Sequence, residues 1–217
     1  MKLKTAFVSM MFIATACAQA AEEGRDYTVL SKPIPQLQAD KIEVLEFFGY
    51  FCVHCARLDP ILLQHSRGFA KDVYLRTEHV VWQPEMLGLA RVAAAVNASG
   101  LKYQANGAVF DAVYGRQINL ADEAVFKKWA AAQTAFDSKK LLAAYHAPAA
   151  VAAAKKMQVL TETYRIASTP TVIVGGKYQV KFGADFQAGM STVDALISKV
   201  RAERKMLQQG AWRKVAQ

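Results

Sequence analysis

Cys52 and Cys55 stand three positions apart in Cys52-Val53-His54-Cys55, and they are two of only three cysteines in the chain. At that spacing two sulfurs on the first turn of a helix can close a disulfide, or exchange it with another thiol. A cysteine between a core strand and a helix start meets free N–H groups and the positive end of the helix dipole. Its thiolate is thereby stabilised and becomes a good leaving group. Cys55, one turn further on, is expected to point inward and be shielded. His54 lies between them, and its protonated ring would add positive charge beside the Cys52 thiolate. Two other uses of the pair are weaker. Zinc needs a full tetrahedral set of ligands, and no second cysteine pair or paired histidines complete it; His65, His79 and His146 are scattered. A purely structural bridge over so tight a loop adds little stability and is usually strained.

The elements around the pair follow from hydropathy patterning. Residues 42–48 are branched, aromatic and apolar enough for a buried strand, ended by Gly49 and Tyr50. Leu58, Ile61, Leu62, His65 and Phe69 form one helical stripe behind Cys52. Pro60 removes a donor from that helix and predicts a kink near 56–60. Residues 73–82 read as a second core strand and 27–30 as a short first one. The stretch 83–157 changes character, being Ala-rich with helical patterns at 87–96, 107–114, 121–132 and 138–145. Asn119 is the expected N-cap of the third of these, with Asp122 three residues on. Strand character returns at 169–174, followed by a Gly175-Gly176 hairpin turn and a partner strand at 177–180. A last helix is expected over 192–205, capped by Ser191 with Asp194 completing a capping box. The class is therefore α/β, with an all-helical insertion between strand-rich segments.

The chain has 217 residues, 53% of them hydrophobic, and a formal net charge of +9. That is ample to bury a core without a framework of bridges. Lys2 and Lys4, the apolar run 6–16 and Ala18-Gln19-Ala20 read as a cleavable signal peptide over 1–20, too short to span a bilayer. Its removal predicts export into an oxidising compartment. Ala14-Thr15-Ala16-Cys17 leaves a lipid anchor on Cys17 as the alternative. The basic surface and the tail over 206–217, with Arg213, Lys214 and Trp212, read as solvated charge. A membrane-skimming tail is the sharper alternative. No zinc-finger spacing or basic–aromatic interleaving points to nucleic acid.

The stretch from Glu46 to Cys55, together with Thr169-Pro170-Thr171-Val172-Ile173-Val174-Gly175-Gly176-Lys177-Tyr178, resembles the DsbA family of bacterial periplasmic thiol:disulfide interchange proteins. The resemblance implies a thioredoxin fold interrupted by a helical domain. It divides the mature chain into a first thioredoxin part (21–82), the insertion (83–157) and a second thioredoxin part (158–205). It implies a monomeric dithiol oxidase whose redox group is the Cys52–Cys55 disulfide, with no cofactor or metal. Its clients would be unfolded exported proteins with free thiols, and a DsbB-type membrane quinone reductase would re-oxidise it. It also implies that Pro170 is a cis-proline beside the disulfide, with Thr169 and Pro170 presenting backbone to an extended client. Glu46 matches a buried acid that assists proton transfer to Cys55, and Asp59 stands where the family often has another acid. Thr77 replaces a lysine found in some members, which leaves open how Glu46 is balanced. A disulfide isomerase or reductase on the same scaffold, and a peptide-binding module whose cysteines matter little, remain the competing readings.

Overall fold

The computed structural model describes residues 21–206. The expected leader with Cys17, and positions 207–217 of the basic tail with Trp212, Arg213 and Lys214, lie outside the described residues.

Five strands form one mixed sheet in the order β1-β5-β4-β2-β3. β2 (Ile42–Phe48) occupies the middle and is buried along its whole length, as a strand apolar on both faces must be. It runs parallel to β3 (Val73–His79) and antiparallel to β4 (Thr171–Val174). β5 (Tyr178–Val180) joins β4 to the short β1 (Tyr27–Val29) through antiparallel ladders. Side chains alternate along β2. Ile42 and Val44 enter the core shared with α1 (Val53–Ser66) and α7 (Phe186–Glu203), while Leu45 and Phe47 face Ile34, Ile166 and Ile173 on the other side. Glu46 shares the α1 side with Val44, and that places a carboxyl under the start of α1. Pro60 lies inside α1, which spans it.

Between β3 and β4 the chain builds α2 (Leu87–Ser99), α3 (Lys102–Phe110), α4 (Glu123–Ala131), α5 (Ser138–His146) and α6 (Pro148–Thr163). Their apolar faces meet in a separate core rich in alanine, centred on residues such as Ala93, Val109, Phe126 and Leu141. That core also takes in Phe48, Tyr50 and Cys55 from the sheet side. The active cysteine region is thus a seam between two cores.

Several boundaries differ from the sequence expectation, each for a local reason. α3 starts at Lys102 rather than 107, and continues beyond Phe110 as a π-helical turn, Asp111–Gly115. Asp122, not Asn119, caps α4, its carboxylate accepting from the Val125 N–H at 2.9 Å. α7 begins at Phe186 because Asp185 accepts from the N–H groups of Gln187 and Ala188. Ser191 then lies one turn inside the helix, and Asp194 contacts His65 at 2.8 Å instead of closing a capping box. α6 runs unbroken through position 157, where the sequence sets the end of the insertion. Its first residue, Pro148, suits a helix start because that position has no N–H partner to lose.

The Gly175-Gly176 turn joins β4 to β5 with φ of 64° and 72°, and the Lys177 N–H donates to the Val174 carbonyl at 3.2 Å. A Cβ on Gly176 would sit 2.1 Å from the Ile34 carbonyl oxygen, whose residue also donates its N–H to Gly176 at 2.8 Å. Gly176→Ala combines a left-handed backbone penalty with a backbone clash, so it should destabilise the protein by about 2 kcal/mol or more. Urea unfolding reads this as a lowered midpoint; an unchanged midpoint would contradict the close approach.

Candidate active site

β2 ends at Gly49-Tyr50, and the Cys52 N–H turns back to the Gly49 carbonyl at 2.9 Å. Cys52 is the N-cap of α1, in extended conformation, with its sulfur accepting from the Cys55 N–H at 3.3 Å. A sulfur at this position does what a cap oxygen does, drawing on N–H groups that the helix leaves unpaired. Both cysteines are free thiols in this structure, Cys52 half-buried and Cys55 fully buried. The Cys52 thiol also lies 3.5 Å from the Thr169 carbonyl, which precedes a cis peptide bond to Pro170. Thr169 and Pro170, distant in sequence, therefore sit across from the pair.

The two thiols are driven in opposite directions. Cys52 is lowered to about 5, first by the hydrogen bond from Cys55, then by Thr169 and the N–H groups of Cys55 and His54, against the cost of partial burial. Cys55 is pushed up by the hydrogen bond it gives to Cys52, by burial and by the charge of Glu46. The outer sulfur is therefore a thiolate at neutral pH, and the inner one keeps its proton until something removes it. His54 is exposed and touches this system through its backbone N–H. Ultraviolet thiolate absorbance of the reduced protein should titrate with a midpoint near pH 5. A midpoint near that of a free cysteine, about 8.5, would overturn this picture.

Beneath the pair lies a buried acid system. Burial and the neighbouring Asp59 charge raise Glu46 to about 8, and burial raises Asp59 to about 6. Asn106 donates to the Asp59 carboxylate at 2.7 Å and accepts from the Tyr50 hydroxyl at 2.7 Å. Lys102 opposes both carboxyl shifts with its charge, while burial lowers its own pKa. Lys102 and Asn106 were not singled out by the sequence, because α3 was expected to start later than either. Buried His79 accepts from the Tyr50 N–H at its Nε2, 3.1 Å away, and burial lowers its pKa to about 4. It is a neutral wall of the site. Phe51 and half-exposed Trp82, with ring centroids 5.8 Å apart, flank the opening.

A half-buried sulfur of lowered pKa, a buried thiol of raised pKa within one turn and an acid beneath them suit two-electron thiol–disulfide exchange. A family model described as a DSBA-like thioredoxin domain matches residues 66–193. The thiol:disulfide interchange protein DsbA of Pseudomonas aeruginosa is 29% identical over 210 residues, covering 93% of this chain and 97% of that protein. Among solved structures, the oxidoreductase NmDsbA1 from N. meningitidis superposes with a TM-score of 0.82 at 59% identity, covering 85% of this chain and 96% of that one. Oxidoreductase NmDsbA3 from Neisseria meningitidis superposes with a TM-score of 0.78 at 65% identity, covering 85% and 100% respectively. Among the described residues no helix is long and apolar enough to cross a membrane.

Proposed function

This chain belongs to the DSBA-like thioredoxin domain family and is a thiol:disulfide oxidoreductase of the DsbA type, and from that premise we propose that it oxidises exported proteins in the periplasm. The leader over 1–20 directs export, and cleavage after Ala20 releases the working chain. In the oxidised enzyme a client thiolate attacks Cys52 and expels Cys55, whose sulfur takes up a proton. A second client thiolate then attacks the client sulfur of the mixed disulfide, and Cys52 leaves as a thiolate. The client dithiol has lost two electrons and the enzyme disulfide has gained them. Thr169 and Pro170 hold the extended client beside Cys52, and the positive charge of His54, when protonated, favours the thiolate. A DsbB-type membrane partner then withdraws the electrons, with Glu46 accepting the proton that Cys55 must lose.

The observation that carries this reading is the Cys52 sulfur at the N-cap of α1, accepting from the Cys55 N–H and lying 3.5 Å from the Thr169 carbonyl while Cys55 is buried. That arrangement displaces the two thiols in opposite directions. Stabilising the Cys52 thiolate stabilises the reduced enzyme, and a stabilised reduced form makes the disulfide a stronger oxidant. Equilibration with glutathione tests it: the potential should lie well above the roughly −270 mV of thioredoxin, and oxidised enzyme should pass its disulfide to an unfolded protein. A thioredoxin-like potential would instead place the protein among the reductases.

A further inference from the structure

The sheet register creates an electrostatic problem beneath Cys55. Glu46 is 3% exposed, and its ladder neighbours are Thr77 on β3 and Val172 on β4, neither of them charged. The Thr77 hydroxyl is engaged by Asn97 at 3.0 Å. Arg76, next along β3, is held by Glu78 at 2.6 Å and by Glu43 at 3.4 Å. Asp59 brings a second buried carboxyl from α1. Two such groups need a cation and hydrogen bonds if either is to ionise.

α3 answers that need from across the seam. Lys102, Ala105, Asn106 and Val109 follow helical spacing on one stripe, with the last three buried and Lys102 half-buried. Asn106 bridges Tyr50 and Asp59 at 2.7 Å on each side. Lys102, one turn earlier on the same stripe, is near enough for its charge to act on Glu46 and Asp59. We propose that Lys102 and Asn106 of the helical insertion are positioning residues for the proton that leaves Cys55, holding the Glu46–Asp59 pair so that a carboxylate is free to take it.

This rests on the oxidoreductase reading and concerns one step of it. In a mixed disulfide on Cys52, the Cys55 thiol gives its proton to the Glu46 carboxylate. The Cys55 sulfur then attacks the Cys52 sulfur. The Cys52–Cys55 bond forms, the bond from Cys52 to the partner breaks, and the partner sulfur leaves with the electron pair. The groups whose charges couple to Glu46 are Cys52, Cys55 and Asp59 of α1, Tyr50 after β2 and Lys102 of α3; buried His79 is in register with Phe48, and the Arg76–Glu78 pair, in register with Leu45 and Phe47, lies on the opposite face of the sheet. Lys102 is the cation among them without a carboxylate salt-bridge partner among the described residues. Removing its charge raises both carboxyl pKa values, so the proton acceptor ionises only at higher pH.

Rapid-mixing of the reduced protein with oxidised glutathione tests this by separating attack by Cys52 from resolution by Cys55. In Lys102→Met the pH midpoint of resolution should rise by about one unit, with a rate about tenfold lower at neutral pH. Lys102→Arg should restore it, and the Cys52 thiolate titration should stay where it is, since its causes lie at the start of α1 and at Thr169 and do not include Lys102. Lys102→Gln serves if the Met variant does not fold. A wild-type resolution profile in either uncharged variant overturns the proposal. So does a resolution shift matched by an equal shift of the Cys52 titration. Glutathione reads the proton step whatever the natural client is. Failure to oxidise unfolded proteins alongside normal glutathione resolution would sink the functional reading alone.

Discussion

Cys55→Ser converts the protein into a covalent trap. Cys52 keeps its cap position, and a serine hydroxyl can still donate to its sulfur, so attack on an external disulfide continues. Resolution does not. The internal thiol acts within one helical turn, and well-placed intramolecular groups reach effective molarities of about 10⁵ M or more. Release of the adduct should therefore slow by at least about 10³-fold at millimolar external thiol. Intact-mass spectrometry after exposure to oxidised glutathione should show a single stable adduct on the variant and a transient one on the parent. Cys52→Ser should show none, because the buried Cys55 thiol remains protonated and out of reach. Adduct formation on Cys55 in that variant would break the division of labour between the two sulfurs.

Glu46→Gln should stabilise the reduced protein at alkaline pH while slowing resolution. The Glu46 carboxyl is raised from 4.5 to about 8 by burial and by the Asp59 charge. Its folded pKa lies above its unfolded one, so its contribution to stability is full below pH 4.5 and is lost as pH rises through about 8. Above that range the wild type must hold a buried carboxylate, and a neutral amide of the same shape has no such cost. The gain should be on the order of 3 kcal/mol at about pH 9 and should fade toward about pH 4. Asp59 follows the same sign, with its loss centred near 6. Urea unfolding of the reduced variant and parent across this range checks the prediction. A gain confined to acid pH would contradict burial as the cause. A protein that keeps a destabilising acid under its thiol uses it for something other than folding.

The chemistry of Cys52 was legible because all but one of the groups that lower its pKa are local, Thr169 being the exception. A strand end, a turn and a helix start are adjacent in sequence, and the direction of its pKa follows from them. β2 was legible over its full length for a similar reason, since a strand buried on both faces has little choice of pattern. The first turn of α3 was missed because Asn106 and Gly107 are weak helix formers, and packing of its apolar stripe on the seam outweighs them. α6 was hidden by its alanines, which favour a helix without marking a face. The start of α7 was expected after Ser191, but Asp185 caps it six residues earlier. Where the chain emerges from β5 decides it. Lys102 and Asn106 were out of reach for the deepest reason: their partners lie 24 to 56 positions away, and no periodicity reports a contact between two cores.

Under the proposed function, the hydrogen bonds between Asn97 and Thr77 have a further meaning. β3 is an edge strand, and a free edge is a template for pairing with any extended polypeptide. The Asn97 amide donates to the Thr77 carbonyl at 2.9 Å, so α2 occupies a rung that a foreign strand would need. The charged pair Arg76 and Glu78 flanks that rung, and the opposite edge, β1, is three residues long. Both borders of the sheet thus discourage edge-to-edge pairing with other extended chains. On the proposed function, the backbone left to receive a client is the Thr169 loop, beside the Cys52 sulfur.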